Sequence, residues 1–138
     1  MKLKSAFLLL IPFLFACKAT TFTPKTYKGD QLIVGSSGGV TGMLNEYVLL
    51  DNGQLFQSKG LKGEWKELRT LKKSKTKEIF AKAAELKLAT VKFNHPGNMT
   101  YYFTLKQPPR SNEIKWGESG VQPPDGIDAF YELLIALF

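Results

Sequence analysis

From Met99 to Lys106, Met99, Tyr101, Phe103 and Leu105 alternate with Thr100, Tyr102, Thr104 and Lys106. Successive side chains of a strand point to opposite faces, so this strict period of two marks a strand buried on one face. Such a strand needs neighbours to pair with and an apolar layer to cover it. Ile114 and Trp116 continue the pattern, and Gln107 to Asn112, with its two prolines, reads as a loose hairpin between the two runs. Upstream, Leu44 to Leu50 and Gln54 to Ser58 flank Asp51-Asn52-Gly53, residues that tolerate positive φ and close a hairpin. Leu32-Ile33-Val34 is a short buried strand, which Gly35-Ser36-Ser37-Gly38-Gly39 is expected to end by turning. Trp65 to Leu71 adds a further strand before a lysine-rich turn.

Two helices supply the cover. Ile79, Ala83 and Leu86 recur at helical spacing within Lys75 to Leu86, with Phe80 beside them and Ser74 or Thr76 as the expected cap. Pro123-Pro124-Asp125 is expected to open the second helix, with Asp125 as cap or first-turn acid. Ile127, Phe130, Tyr131, Leu134 and Phe138 form its buried stripe. Strands, helix, strands, helix is an α+β order, and both stripes are best buried on one antiparallel sheet of about five or six strands.

Cys17 is the only cysteine. The fold therefore rests on a hydrophobic core, without disulfides or cysteine-ligated metal. Ahead of Cys17, Lys2 and Lys4 precede a run from Ala6 to Ala16 that is apolar except for Pro12. That is the layout of a cleaved export signal, and it falls short of the about 20 apolar residues that a membrane span needs. The tetrad Leu14-Phe15-Ala16-Cys17 resembles the lipobox of bacterial lipoproteins. The resemblance implies cleavage before Cys17, acylation of its sulfur and a place in the cell envelope. By likeness to short lipoproteins of Gram-negative bacteria, that place is the outer membrane. The expected organisation is a signal peptide at 1–16, a lipidated N-terminus and tether at 17–29, and a single α+β domain at 30–138.

The formal charge of the whole chain is +7, and between Lys59 and Lys92 eleven Lys or Arg face four Glu. Anionic lipid or an acidic partner would suit such a stretch. Arg69 is its only arginine, and arginine is the better phosphate binder, so the stretch reads first as a solvated lysine face. No nucleic-acid partner is expected.

Chemistry-bearing residues are sparse. The single histidine, His95, lies in Asn94-His95-Pro96-Gly97-Asn98 without a carboxylate beside it in sequence, so no metal site and no activated nucleophile are legible. Glu113, Glu118, Asp125 and Asp128 fall on different elements and suggest no acid/base pair. Gly38-Gly39-Val40-Thr41-Gly42 lacks the lysine and hydroxyl of a phosphate loop and is followed by a strand. Tyr101, Tyr102, Trp116 and Trp65 are assigned mainly to packing. What remains is two loops carried on strands, and loops held on a rigid scaffold often bind partners. The candidate binding residues are Gly38, Gly39, Thr41 and Gly42 in one and His95 and Asn98 in the other.

The element order, together with Ser37-Gly38-Gly39, Gly42, Tyr101 or Tyr102 and the terminal helix, resembles the small protease-inhibitor domains called emfourins. The likeness runs from about Leu32 to Leu137 and implies binding to thermolysin-type metalloproteases. The leading expectation is a non-enzymatic protein-binding module, lipid-anchored in the envelope, with protease inhibition as one specific version. A structural or assembly accessory of the envelope is the alternative, and a hydrolase ranks third. No small-molecule cofactor is expected.

Overall fold

The computed structural model describes residues 22–60 and 63–138. The segment 1–16 expected to be a signal peptide and Cys17, the expected lipidation residue, lie outside the described residues. Six strands and two helices follow in the order β1 (Gln31–Gly38), β2 (Met43–Leu50), β3 (Gln54–Lys59), β4 (Lys66–Thr70), α1 (Lys73–Glu85), β5 (Met99–Gln107), β6 (Arg110–Trp116) and α2 (Ile127–Leu137). The strands form one antiparallel sheet in the order β4-β3-β2-β1-β5-β6, an α+β fold. The chain leaves one edge at β4 and crosses by α1 to reach β5 on the far side of β1.

Both helices lie on one face. Leu32, Val34, Leu49, Leu55, Phe103, Leu105, Ile114 and Trp116 of the sheet meet Ile79 and Ala83 of α1 and Ile127, Phe130, Tyr131 and Leu134 of α2. Phe103 is 1% exposed, and its ring lies 5.5 Å from Phe130 and 5.9 Å from Tyr131. The opposite face carries a smaller cluster of Ile33, Val48, Leu50, Phe56 and Tyr102, lined by Tyr27, Leu44 and Trp65. This second cluster explains why Leu32-Ile33-Val34 and Val48-Leu49-Leu50 are apolar without alternation. Consecutive residues face opposite ways, and both faces are covered there.

The Asp51-Asn52-Gly53 hairpin, both helical stripes and the alternating β5 form as the sequence implies. Four local expectations are corrected. β1 does not turn at Gly35 but runs on to Gly38, because Gly35 pairs with Glu46 on one side and Tyr102 on the other. The β5–β6 connection is tight rather than loose: Gln107 pairs with Arg110, leaving only Pro108 and Pro109 at the turn. Neither Ser74 nor Thr76 caps α1; Lys72 is the N-cap residue, without a side-chain cap bond, and Thr76 donates its hydroxyl to the Lys72 carbonyl at 3.2 Å. Leu71 still donates its N–H to Gly53 at 2.8 Å, so the helix begins immediately after and Ser74 and Thr76 fall inside it. α2 starts at Ile127, past Asp125, since Ile127 N–H closes a turn on Pro124 and Gly126 sits at φ 83°. Asp128 is the acid in its first turn.

The body also extends back beyond Asp30. Residues 22–29, assigned by sequence to the tether, pack on the second face: Pro24 is buried and accepts a bond from Gln31 Nε2 at 3.1 Å, while the Tyr27 hydroxyl donates to Asp51. β4 is an exposed edge strand along its whole length, and its charged residues Lys66, Glu67 and Arg69 discourage pairing with other chains.

Candidate functional site

The two candidate loops meet at one end of the sheet. Gly38, the last residue of β1, pairs with Met43 and with Met99, and Gly39 N–H donates to the Asn98 carbonyl at 2.9 Å. Gly38 has φ 109°, and a Cβ there would sit 2.1 Å from the Asn98 carbonyl oxygen. This glycine is therefore needed by the chain's own backbone, and its open side is already occupied. Thr41 and Gly42 remain exposed at the turn, and Gly42 N–H closes it on Gly39 at 3.2 Å.

The loop bearing His95 is held equally firmly. Asn94 bridges to Lys115 in a parallel sense, His95 N–H donates to Lys115 at 2.9 Å, and Glu118 N–H donates to His95 at 3.0 Å. The His95 ring faces the Phe93 ring, with centroids 4.7 Å apart, and its Nδ1 lies 2.8 Å from Glu118 Oε2. A carboxylate is thus beside His95 in space though not in sequence, which corrects the reading of an isolated histidine. A carboxylate can orient an imidazole for proton transfer. Among the described residues, Glu118 is the only side chain bonded to the ring, and no group of three His, Cys, Asp or Glu is placed to hold a metal. The bond ties the loop before β5 to the loop after β6. Asn98 is exposed and meets Gly39 through its carbonyl.

Three apolar side chains decorate this end. Val40 stands fully exposed at 106%, and Met43 and Met99 are 61% and 39% exposed on the strands beside it. The candidate residues drawn from the sequence omit all three. The legible signal is Val40 itself, a β-branched residue in a glycine-flanked turn where a polar residue is usual.

A groove of about 740 Å³ runs over the open face, lined by residues including Ser37, Glu46, Asn94, Thr100, Tyr102 and Lys115. Tyr102 pairs with Gly35, and its ring lies across that residue so that the hydroxyl donates to Glu46 at 2.5 Å. Burial, reinforced by the bond to Glu46, pushes the Tyr102 phenol well above its ordinary range. The four aromatics considered as a stacking platform are divided between the faces. Tyr101 and Trp116 face the helices, whereas Tyr102 and Trp65 pack with the second cluster. Glu113 pairs with Lys115 at 2.8 Å.

A scan against protein-family models and a search of curated proteins find no match to this chain. Among the described residues, no helix is long and apolar enough to cross a membrane.

Proposed function

We propose that the chain is exported, acylated on Cys17 and held in the cell envelope, where it works as a non-enzymatic protein-binding module. The observation that carries the binding reading is the display of Val40, Met43 and Met99 at one end of the sheet. Exposed apolar side chains gathered at one end of a fold favour a contact with a partner. Here the turn is braced by the Gly39 to Asn98 bond, and the adjoining loops by the His95–Glu118 contact. A braced loop loses little conformational freedom on binding, which favours affinity. Protease inhibition is the specific version suggested by the likeness to emfourins, with the tip entering a partner's cleft.

A photoreactive side chain at position 40, crosslinked in intact envelopes, is expected to yield one stoichiometric adduct that disappears when Met43→Asp is added. The same probe at Leu133, exposed on α2, should give none. No adduct at position 40, or equal adducts at both positions, would sink the binding reading. Mass spectrometry of the purified protein tests the anchor: an unmodified Cys17 with Met1 still attached would refute it. Incubating a thermolysin-type protease with this chain in about tenfold molar excess tests inhibition, and unchanged turnover removes that version.

A further inference from the structure

The two ends of the sheet differ in charge. The described turns at the start of β1 are drawn from four separate segments: 28–30, 51–53, 71–73 and 106–110. The Gln107 side chain bonds Asp30 at 2.8 Å, Asp51 accepts from the Asp30 N–H at 3.1 Å, and Leu71 N–H reaches Gly53, so all four converge. Together they expose Lys28, Lys72, Lys73, Lys106 and Arg110. Their only carboxylates, Asp30 and Asp51, are already occupied as acceptors for Gln107, the Asp30 N–H and Tyr27. At the opposite end, the described loops 39–42, 59–60, 63–65, 94–98 and 117–120 hold Lys59 against Glu64 and Glu118. The lysine excess of the 59–92 stretch is itself divided: Lys75 and Lys82 pair with Glu78 and Glu85 on α1, Lys59 lies at the far end, and Lys72 and Lys73 join the basic end.

We infer that this basic end is a docking surface for an anionic bilayer, which orients the domain with the Val40 tip facing away from the membrane. The inference rests on the anchored reading of Cys17, and the chain's own path argues for it. Phe22 lies against Tyr27, with ring centroids 5.3 Å apart, and Tyr27 bonds Asp51, so the chain enters the body at the basic end. Phe22 follows Cys17 by five positions, a reach of at most roughly 18 Å. These cations thus lie within reach of the acylated residue, although Thr23 and Lys25 also border Gly63 and Glu64 of the far end. One lipid signal plus a basic patch is the combination that gives stable membrane attachment. Juxtamembrane cations gain most from anionic headgroups within a Debye length of the surface. Eight residues of β1 separate the two ends, or roughly 25 Å. The tip thus meets its partner beyond the headgroup layer.

The test uses the full protein, purified in detergent and reconstituted into vesicles of phosphatidylcholine alone or with phosphatidylglycerol added. Lysine labelling by a membrane-impermeant reagent, read by mass spectrometry, compares Lys28, Lys72, Lys73 and Lys106 with Lys59 at the far end. Anionic vesicles are expected to protect the first four by roughly fivefold or more relative to Lys59. The protection should vanish near 1 M salt, where the Debye length is about 3 Å, and should be absent on neutral vesicles. Lys28→Glu with Lys73→Glu should lower the protection of Lys72 and Lys106 while leaving vesicle flotation intact. Equal labelling of both ends on anionic and neutral vesicles overturns the proposal. Flotation and the mass of Cys17 report the anchor separately. A chain that lacks acylation still reads the basic end through its labelling on anionic vesicles.

Discussion

Replacing Gly35 with alanine tests how the open face is built. Gly35 lies mid-strand in β1, and a Cβ there would come within 2.4 Å of Tyr102 Cζ and its hydroxyl oxygen. The ring must either lift, losing its bond to Glu46, or stay wedged. A hydrogen bond to a charged acceptor contributes about 1.5–3 kcal/mol, and overpacking costs about 1–3 kcal/mol. Against this, alanine is favoured over glycine within a strand by roughly 0.5–1 kcal/mol. The expected net loss is about 0.5–2.5 kcal/mol. With a urea m-value of about 1.5–2 kcal/mol/M, a loss in the middle of that range lowers the unfolding midpoint by about 0.75–1 M. The decisive assay is a double-mutant cycle with Tyr102→Leu, whose side chain is too short to reach across Gly35. In that background Gly35→Ala should be neutral or slightly stabilising, which makes the coupling nearly the whole effect. Equal losses in both backgrounds would refute the account of Gly35 as a berth for the tyrosine ring.

Phe103→Ala should cost about 3–5 kcal/mol, since its ring is fully enclosed by Phe130, Tyr131 and Trp116; an unchanged urea midpoint would overturn the register of β5. Gly38→Ala should destabilise markedly more than Gly42→Ala, because a Cβ at Gly38 strikes the Asn98 carbonyl whereas nothing lies within 4 Å of Gly42. Thermal unfolding of the pair checks this, and equal losses would contradict it. The Tyr27 phenol is pushed up to about 12, first by burial and then by its bond to Asp51. A folded-state value above the unfolded value of about 10 means that its contribution is complete below pH 10 and is lost as pH rises towards 12. Tyr27→Phe should therefore flatten the alkaline fall in stability between those limits, and an identical pH profile would refute the prediction. Val40→Asp should leave stability within about 0.5 kcal/mol of the parent, as expected for a fully exposed side chain, yet abolish the crosslink from the neighbouring Thr41 position.

Much of the fold was legible because its signals are local. Period-two alternation in β5, the Asp51-Asn52-Gly53 turn and the stripe from Ile127 to Leu134 each depend on residues within a few positions of one another. Together they sufficed for two helices on one antiparallel sheet, and the single cysteine excluded disulfides. What failed was local reasoning about residues whose partners are distant. Gly35 looks like a turn residue until Tyr102 is laid across it, and His95 looks isolated until β6 delivers Glu118. Gly38 looks free for a partner until β5 brings the Asn98 carbonyl against it.

The candidate site divides in the same way. Sequence alone marked the two loops and the thiol-free body, because composition and short spacing carry that information. Only the sheet order β4-β3-β2-β1-β5-β6 decided that the loops share one end with Val40, Met43 and Met99, and that cations from four separate segments gather at the other. Close backbone contacts and a surface field both sum over residues that are neighbours in space. Which residues become neighbours is set by strand pairing across the whole chain, and no local period encodes it.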